Sequence, residues 1–510
     1  MSNILSFVIF IPAAAGLLLF CLPRGRDGLI RSASLVAALL NLVISAFLWT
    51  GYDPSVDLDT TPFQFAESAE WIPSLGVGYR VGIDGISLFL VLLTTLITPI
   101  AILGSWSGVK DRIREFHVAL LFLETGMIGV FAATDLALFY VFWEVMLIPM
   151  VLLIGIWGSQ RRIYAAVKFF VFTMVGSLLM FVAILYLWVR LRELDTSVTF
   201  SLTQIYAILK AHPNALSPTE QITLFSAFAL SFAIKVPLFP LHTWLPDAHT
   251  EAPTAGSVVL AGVLLKMGSY GFIRFAIPFF PEGAQEAVPW ICWLAIISII
   301  YGALMCLVQE DLKRLIAYSS VSHLGFVMLG LFAFTQKAVV GSIYQMLSHG
   351  VSTGALFLLV GLIYERTHTR RLADYGGYAK IVPRYAAIFF FVLLSSIGLP
   401  ALNGFVGEFL ILLGTFEFSP LYATLAATGM ILGALYMLNL YQRVMLGKVN
   451  ANLSDEARAK TSDVNFREMV YLTPLLVLIV VMGLGSPWFT RIIEPSVAHW
   501  LDSFTKVAGM

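Results

Sequence analysis

Of the chain's 510 residues, 59% are hydrophobic and only 12% are charged, about half the charged share of an ordinary soluble domain. The 31 Lys+Arg balance 31 Asp+Glu, which gives no reason to expect a nucleic-acid partner or a polyanionic substrate. The composition suits a lipid bilayer, and the fold class it predicts is an all-α polytopic membrane protein.

A membrane helix needs roughly 20 mostly apolar residues, and such stretches run almost end to end. They predict about 14 transmembrane helices, over 4–22, 30–50, 84–106, 114–132, 135–156, 166–190, 221–248, 254–277, 288–308, 313–333, 338–365, 385–416, 420–446 and 467–489. The first reads as a retained helix, because Arg24, Arg26 and Arg31 follow the apolar run from Ile4 to Leu22 instead of preceding it. With the N-terminus outside, the cytoplasmic joints hold 21 Lys+Arg and the outer joints 8, leaving Lys235 and Lys266 within helices. That asymmetry follows the positive-inside rule and places both termini on the periplasmic side of a bacterial inner membrane, although Arg190 and Arg192 run against it.

Along the chain, charged residues recur inside these spans. Glu124 falls mid-way in the fourth and Glu144 near the middle of the fifth, which Asp135 opens as an expected N-cap. The seventh contains AIKVPLFPLHTWLPDAH (233–249), with Lys235 just before Pro237 and Pro240, each of which removes a donor and breaks the helix. Asp247, His242 and His249 are expected in its second half, near the cytoplasmic end. Lys266 lies in the middle of the eighth span, His323 in the tenth and His349 in the eleventh. The twelfth contains SSIGLPALNGFVGEF (395–409), with Pro400, Gly404 and Gly407 interrupting it and Glu408 beyond the break. Grouping helices 4–8 and 9–13 as two five-helix units puts both breaks in the fourth helix of a unit, and an odd helix number inverts one unit relative to the other. The expected division is 1–110 for helices 1–3, 111–278 for the first repeat, 279–447 for the second and 448–510 for the last helix and C-terminus.

Charges at mid-membrane are costly and by default functional. Burial disfavours their charged forms and a nearby opposite charge restores them, so moving a partner switches proton affinity. Glu144, Lys235, Lys266 and Glu408 are therefore the candidates for proton translocation, with His323, His349, Glu124, His242 and Asp247 as candidate relays. The structural alternatives are an acid that only pairs a lysine, an acid held by a helix break, histidines that only bond between helices, and solvated groups at the cytoplasmic end. The cysteines Cys21, Cys292 and Cys306 lack cluster spacing, and there is neither GxGxxG nor GxxxxGK[ST]. No cofactor or metal is expected in this chain.

FYVFWEVMLIPM (139–150), HTWLPDAHTEAPTAGSVVLAGVLLKMGSYGFIRF (242–275), SSVSHLGFVMLG (319–330) and NGFVGEFLIL (403–412) resemble the antiporter-like subunits of respiratory complex I. The resemblance runs from about helix 3 to helix 13. It implies a 14-helix fold with two inverted five-helix units and a proton channel in which Glu144 is the acid of helix 5, Lys235 the lysine beside the break, Lys266 the connecting lysine and Glu408 the terminal group. Related L and N types carry lysine at that terminal position, so the glutamate points to the M type. The resemblance further implies NADH oxidation by quinone coupled to proton export, with flavin (FMN), iron–sulfur clusters and quinone in partner subunits, and L-type and N-type chains as neighbours. The rival readings are a subunit of a multisubunit cation/proton antiporter or membrane-bound hydrogenase, and a structural spacer that conducts no protons. Quinone binding in this chain has no distinctive support in the sequence.

Overall fold

The computed structural model describes residues 3–23, 25–450 and 461–508, without the side chains of 504–508. Arg24 and the joint residues 451–460, used above in the charge count, lie outside the described residues. The helices are α1 (Ile4–Phe20), α2 (Asp27–Gly51), α3 (Leu88–Gly104), α4 (Ile113–Ala132), α5 (Leu136–Val145), α6 (Leu147–Trp157), α7 (Arg162–Leu194), α8 (Leu202–Ala211), α9 (Pro218–Lys235) and α10 (Trp244–Glu251). A continuous helix follows over Thr254–Phe279, made of α11 (Thr254–Val259), α12 (Leu265–Gly271) and α13 (Ile277–Phe279) joined by two π-helical turns. Then come α14 (Pro281–Val308), α15 (Leu312–Phe332), α16 (Gln336–Thr367), α17 (Pro383–Ser396), α18 (Asn403–Phe418), α19 (Pro420–Met445), α20 (Phe466–Leu484) and α21 (Pro487–Ala508).

Among the described residues, ten helices are long and apolar enough to cross a membrane, and α1, α3 and α17 are shorter apolar helices. The helices sort by surroundings. Thr254–Phe279, α15 and α16 are wholly buried in their most apolar stretches, whereas α1, α2, α7, α14 and α19 present Leu18, Val36, Val182, Trp290 and Ile431 outward. Apolar side chains on the perimeter are what lipid contact requires.

The all-α expectation needs one correction. In the joint after α2, β1 (Gln64–Ile72) and β2 (Val77–Ile83) pair antiparallel as a two-stranded hairpin. An apolar-run reading sees only spans, and period-two alternation inside a joint escapes it. Two further differences concern helices expected to be continuous. The fifth span is interrupted at Met146, one residue after α5 ends and three before Pro149, and the eighth contains the π-helical turns.

Two matching clasps tie the joints. Asp135 caps α5 by accepting from Ala137 N (3.1 Å) and Leu138 N (3.2 Å), as expected of an N-cap, and it pairs with Arg80 at 2.5 Å. Beside it Leu136 N donates to Phe200 O (2.8 Å) and Leu202 N to Thr134 O (2.9 Å). Asp311 caps α15 through Lys313 N and Arg314 N and pairs with Arg370 at 3.3 Å. There Leu312 N donates to Arg370 O (2.9 Å) and Leu372 N to Glu310 O (2.8 Å). The first clasp stands at the hairpin rim of the bundle, next to β2. The second stands at the opposite rim, where Arg370 also donates to Thr250 O (2.5 Å) at the end of α10.

Near the hairpin rim, Asp84 and Arg274 form an ion pair at 2.7 Å with both side chains almost fully enclosed. Asp84 also accepts from Ile86 N, Ser87 N and Ser87 Oγ, and Arg274 Nε donates to Tyr270 OH at 3.2 Å. Asp84→Ala strands a buried guanidinium, which costs about 3–5 kcal/mol. A marked fall in the thermal midpoint of the detergent-solubilised protein is the expected outcome, and an unchanged midpoint contradicts it.

Candidate functional site

The buried helices bring four of the sequence candidates into one line. Lys266 Nζ lies 2.7 Å from His349 Nδ1 and also donates to Ala261 O. His349 and His323 face each other with ring centroids 5.9 Å apart. His323 Nδ1 lies 2.7 Å from Glu408 Oε1, and Ser396 Oγ stands 3.4 Å from His323 Nε2. All four side chains are buried. Each residue comes from a different element (α12, α16, α15 and α18), so the line runs across the bundle and not along one helix.

Local backbone makes this possible. Lys266 follows the first π-helical turn, whose widened winding leaves Ala261 O available to its ammonium. Gly350 allows α16 to approach that turn: a Cβ there would meet Gly262 O at 2.7 Å. Gly268 does the same toward α9, since its Cβ would lie 2.6 Å from Phe232 O and 2.8 Å from Val236 N.

Lys235 is the last residue of α9, directly before the break, and is 1% exposed. Its ammonium faces the rings of Trp143 (5.2 Å) and Phe169 (5.5 Å), and Glu144 attracts it electrostatically. The broken backbone is held by side chains and local bonds. Trp244 Nε1 donates to Ile234 O (2.9 Å), Leu238 N to Ala233 O (2.9 Å) and Phe239 N to Ser298 Oγ (2.8 Å). The second break is held likewise, by Ser395 Oγ on Asn403 Oδ1 (2.5 Å) and Asn403 Nδ2 on Ser348 O (3.2 Å).

Glu144 departs from the expected fully buried acid: it is only half-buried, at the end of α5, with Tyr140 as a hydrogen-bonding neighbour and Oε1 left without a partner among the described residues. Val145 and Ile148 beside it are exposed.

Three other candidates stand apart from the line. Glu124 is fully buried and accepts from Asn41 Nδ2 of α2 at 2.9 Å, which makes it part of the α2–α4 contact. His242 lies in the break between α9 and α10, not in the second helical half, stacked on Phe239 and edged by Tyr301 and Tyr318. Asp247 is at the rim opposite the hairpin, paired with Lys168 at 2.7 Å and Arg314 at 3.5 Å.

Sequence reasoning missed Gln345, whose Nε2 donates to Glu408 Oε1 at 3.0 Å. Its position one helical turn before His349 was the available signal. It also missed Lys313, whose ammonium is buried and donates to Ala252 O. At the edge of an apolar span a buried lysine and a solvated one look alike.

Residues 133–435 match the family described as NADH:quinone oxidoreductase/Mrp antiporter, transmembrane. NADH-quinone oxidoreductase subunit M of Rhodobacter capsulatus is 45% identical over 514 residues, covering 100% of this chain and 98% of that protein. Among solved structures, a chain of respiratory complex I from Thermus thermophilus superposes with a TM-score of 0.86 at 34% identity, over 98% of this chain and 99% of that one. A chain of the Mrp complex from Dietzia sp. DQ12-45-1b shares the fold, with a TM-score of 0.82 at 20% identity over 99% and 98%. With more than half of the chain inside the family pattern and a full-length relative at 45% identity, the chain belongs to the NADH:quinone oxidoreductase/Mrp antiporter family, on its subunit M branch.

Proposed function

We propose that this chain is the proton-translocating, antiporter-like membrane subunit of a respiratory NADH:quinone oxidoreductase, and that protons move through it along Glu144, Lys235, Lys266, His349, His323 and Glu408. The observation that carries the reading is the buried Lys266–His349–His323–Glu408 line, drawn from four helices and joined by contacts of 2.7 Å at both ends. A purely structural interior gains little from burying this many titratable groups.

Each group has a part to play. Glu144 is the acid partner of Lys235 in the first half of the line. Lys266 exchanges a proton with His349, and each imidazole accepts on one nitrogen while releasing from the other. Glu408, held by His323 and Gln345, ends the line. Moving one charge against 100 mV costs about 2.3 kcal/mol, which equals a change of about 1.7 in a group's pKa. Separating a single ion pair supplies that amount.

In this reading the chain crosses a bacterial inner membrane 14 times, with both termini periplasmic and the rim of Asp247 and Arg370 facing the cytoplasm. Residues 111–278 and 279–447 are two inverted repeats. The two Asp clasps on opposite rims support the inversion, as do the matching breaks after Lys235 and Ser396. FMN, iron–sulfur clusters and quinone belong to partner subunits, so the redox reaction occurs outside this chain. L-type and N-type antiporter-like chains are its neighbours. The half-exposed Glu144, flanked by Val145 and Ile148, is suited to cover by a neighbouring chain, since a carboxylate facing lipid is costly. Glu124, His242 and Asp247 are placed outside the main line.

In membranes carrying Glu144→Ala, NADH-driven proton pumping and quinone reduction both fall by about tenfold or more while the complex still assembles. Full retention of both in an assembled complex returns the lead to the spacer or antiporter readings. Because His323 and Glu408 act as one pair, His323→Gln with Glu408→Gln reduces pumping no further than about the worse single change. Independent, multiplying losses break that link of the line.

A further inference from the structure

Glu124 of α4 is fully enclosed, and its one hydrogen bond among the described residues comes from a neutral amide, with Asn41 Nδ2 donating to Glu124 Oε1 at 2.9 Å. Other buried acids meet a side chain that can carry positive charge: Asp84 meets Arg274, Asp135 meets Arg80, Glu408 meets His323 and Glu468 meets Arg366. Asn41 is turned fully inward, although it belongs to a helix, α2, whose adjacent Leu40 and Val43 face outward.

Each partner has an oxygen left over. Asn41 Oδ1 and Glu124 Oε2 are both buried without a hydrogen-bond partner among the described residues. An ionised carboxylate only accepts, and so does an amide oxygen. The two supply no donor to one another, and turning the amide over only changes which oxygens are mismatched. A proton on the carboxyl group satisfies both leftover atoms at once, because Oε2–H donates to Oδ1 while Oε1 accepts from Nδ2. It also removes a charge that would be costly at this depth with only an amide beside it.

We infer that Glu124 is held as a neutral carboxylic acid, joined to Asn41 by two reciprocal hydrogen bonds, and that its proton stays in place during turnover, whatever carries protons elsewhere in the chain. The site binds one proton as part of the fold. It fastens α2 to α4 in a setting where lipid gives helices little hydrophobic reason to associate and bonds between them matter. The next residue, Thr125, ties α1 to the same helix by accepting from Ala13 N at 3.0 Å.

The test uses the whole complex. Glu124→Gln keeps the shape, with an amide N–H donating where the carboxyl O–H did, and is expected to assemble and pump within about twofold of the wild type. The infrared spectrum of the wild type minus that of Glu124→Gln is expected to show the carbonyl band of a protonated carboxyl group, and Asn41→Leu moves that band to higher frequency by removing its hydrogen bonds. Asn41→Leu and Glu124→Leu each lower the thermal midpoint of the solubilised complex, and the two changes together lower it by less than their sum, since no polar group is then left unpaired. A carboxylate band in place of the carbonyl band overturns the inference. So does a fall in pumping of about tenfold or more in an assembled Glu124→Gln complex, which makes Glu124 a proton relay. If Glu124→Gln does not assemble, the double change to leucine replaces it in both measurements, with full pumping expected and the same fall in pumping overturning the neutral acid.

Discussion

The rest of the molecule is organised around the contact between Lys266 Nζ and His349 Nδ1. A primary amine this deep in an apolar bundle must find its acceptors on neighbouring backbone and side chains. The helix bearing Lys266 supplies one through a π-helical turn that presents Ala261 O, and α16 supplies the other because Gly350 lets it close on that same turn. Once α16 is fixed there, His349 faces His323, and α15 and α18 come together around His323 and Glu408. The site and the packing of the central helices are thus one arrangement. A change that separated α16 from the π-helical turn would cut the line and loosen the core together.

The helix breaks follow from the same economy. Interrupting a helix at membrane depth frees backbone groups, which is tolerable only inside protein. Here Trp244 Nε1 and Ser298 Oγ take up Ile234 O and Phe239 N at the first break, and at the second Leu399 N and Leu402 N bond locally to Leu394 O and Leu399 O while Asn403 ties the break to Ser348 O of α16. Pro237 and Pro240 cause the first break, and its consequence is that Lys235 becomes the terminal residue of α9, facing aromatic rings instead of a continuing turn. The clasps at Asp135 and Asp311 fasten the starts of α5 and α15 to the segments that follow α7 and α16. They do so with the same backbone pairing at opposite rims.

Much of this was legible from apolar runs and from the oddity of charged residues within them. Both breaks, the Asp135 cap and the burial of Lys235, Lys266 and Glu408 could be placed because proline chemistry, capping and burial cost are local effects. The pairing order Lys266–His349–His323–Glu408 could not, because partners 83 and 85 residues apart in sequence are joined only by tertiary packing. The π-helical turns were invisible for a similar reason: a one-residue widening hardly disturbs an apolar pattern that is buried on every side. The β1–β2 hairpin lay in a joint where only span length had been considered. Glu144 looked as deep as Lys266 by sequence, yet it ends a helix at the flank of the bundle, and depth along a span says nothing about the direction a residue faces.

The line is not uniform, and the difference matters for a protein that must avoid leaking protons. From Lys266 to Glu408 the groups are in or near hydrogen-bonding contact, whereas Lys235 is walled by Trp143 and Phe169, with Phe232 and Phe275 of the same aromatic cluster beside them. A chain of titratable groups connected without interruption between two aqueous phases would dissipate the gradient it is meant to build. Trp143 and Phe169 face the Lys235 ammonium, and among the described residues no such aromatic wall faces Lys266, whose ammonium meets His349 and Ala261 O. In the proposed proton line, Lys235 within its aromatic wall therefore stands apart from the connected groups that run from Lys266 to Glu408.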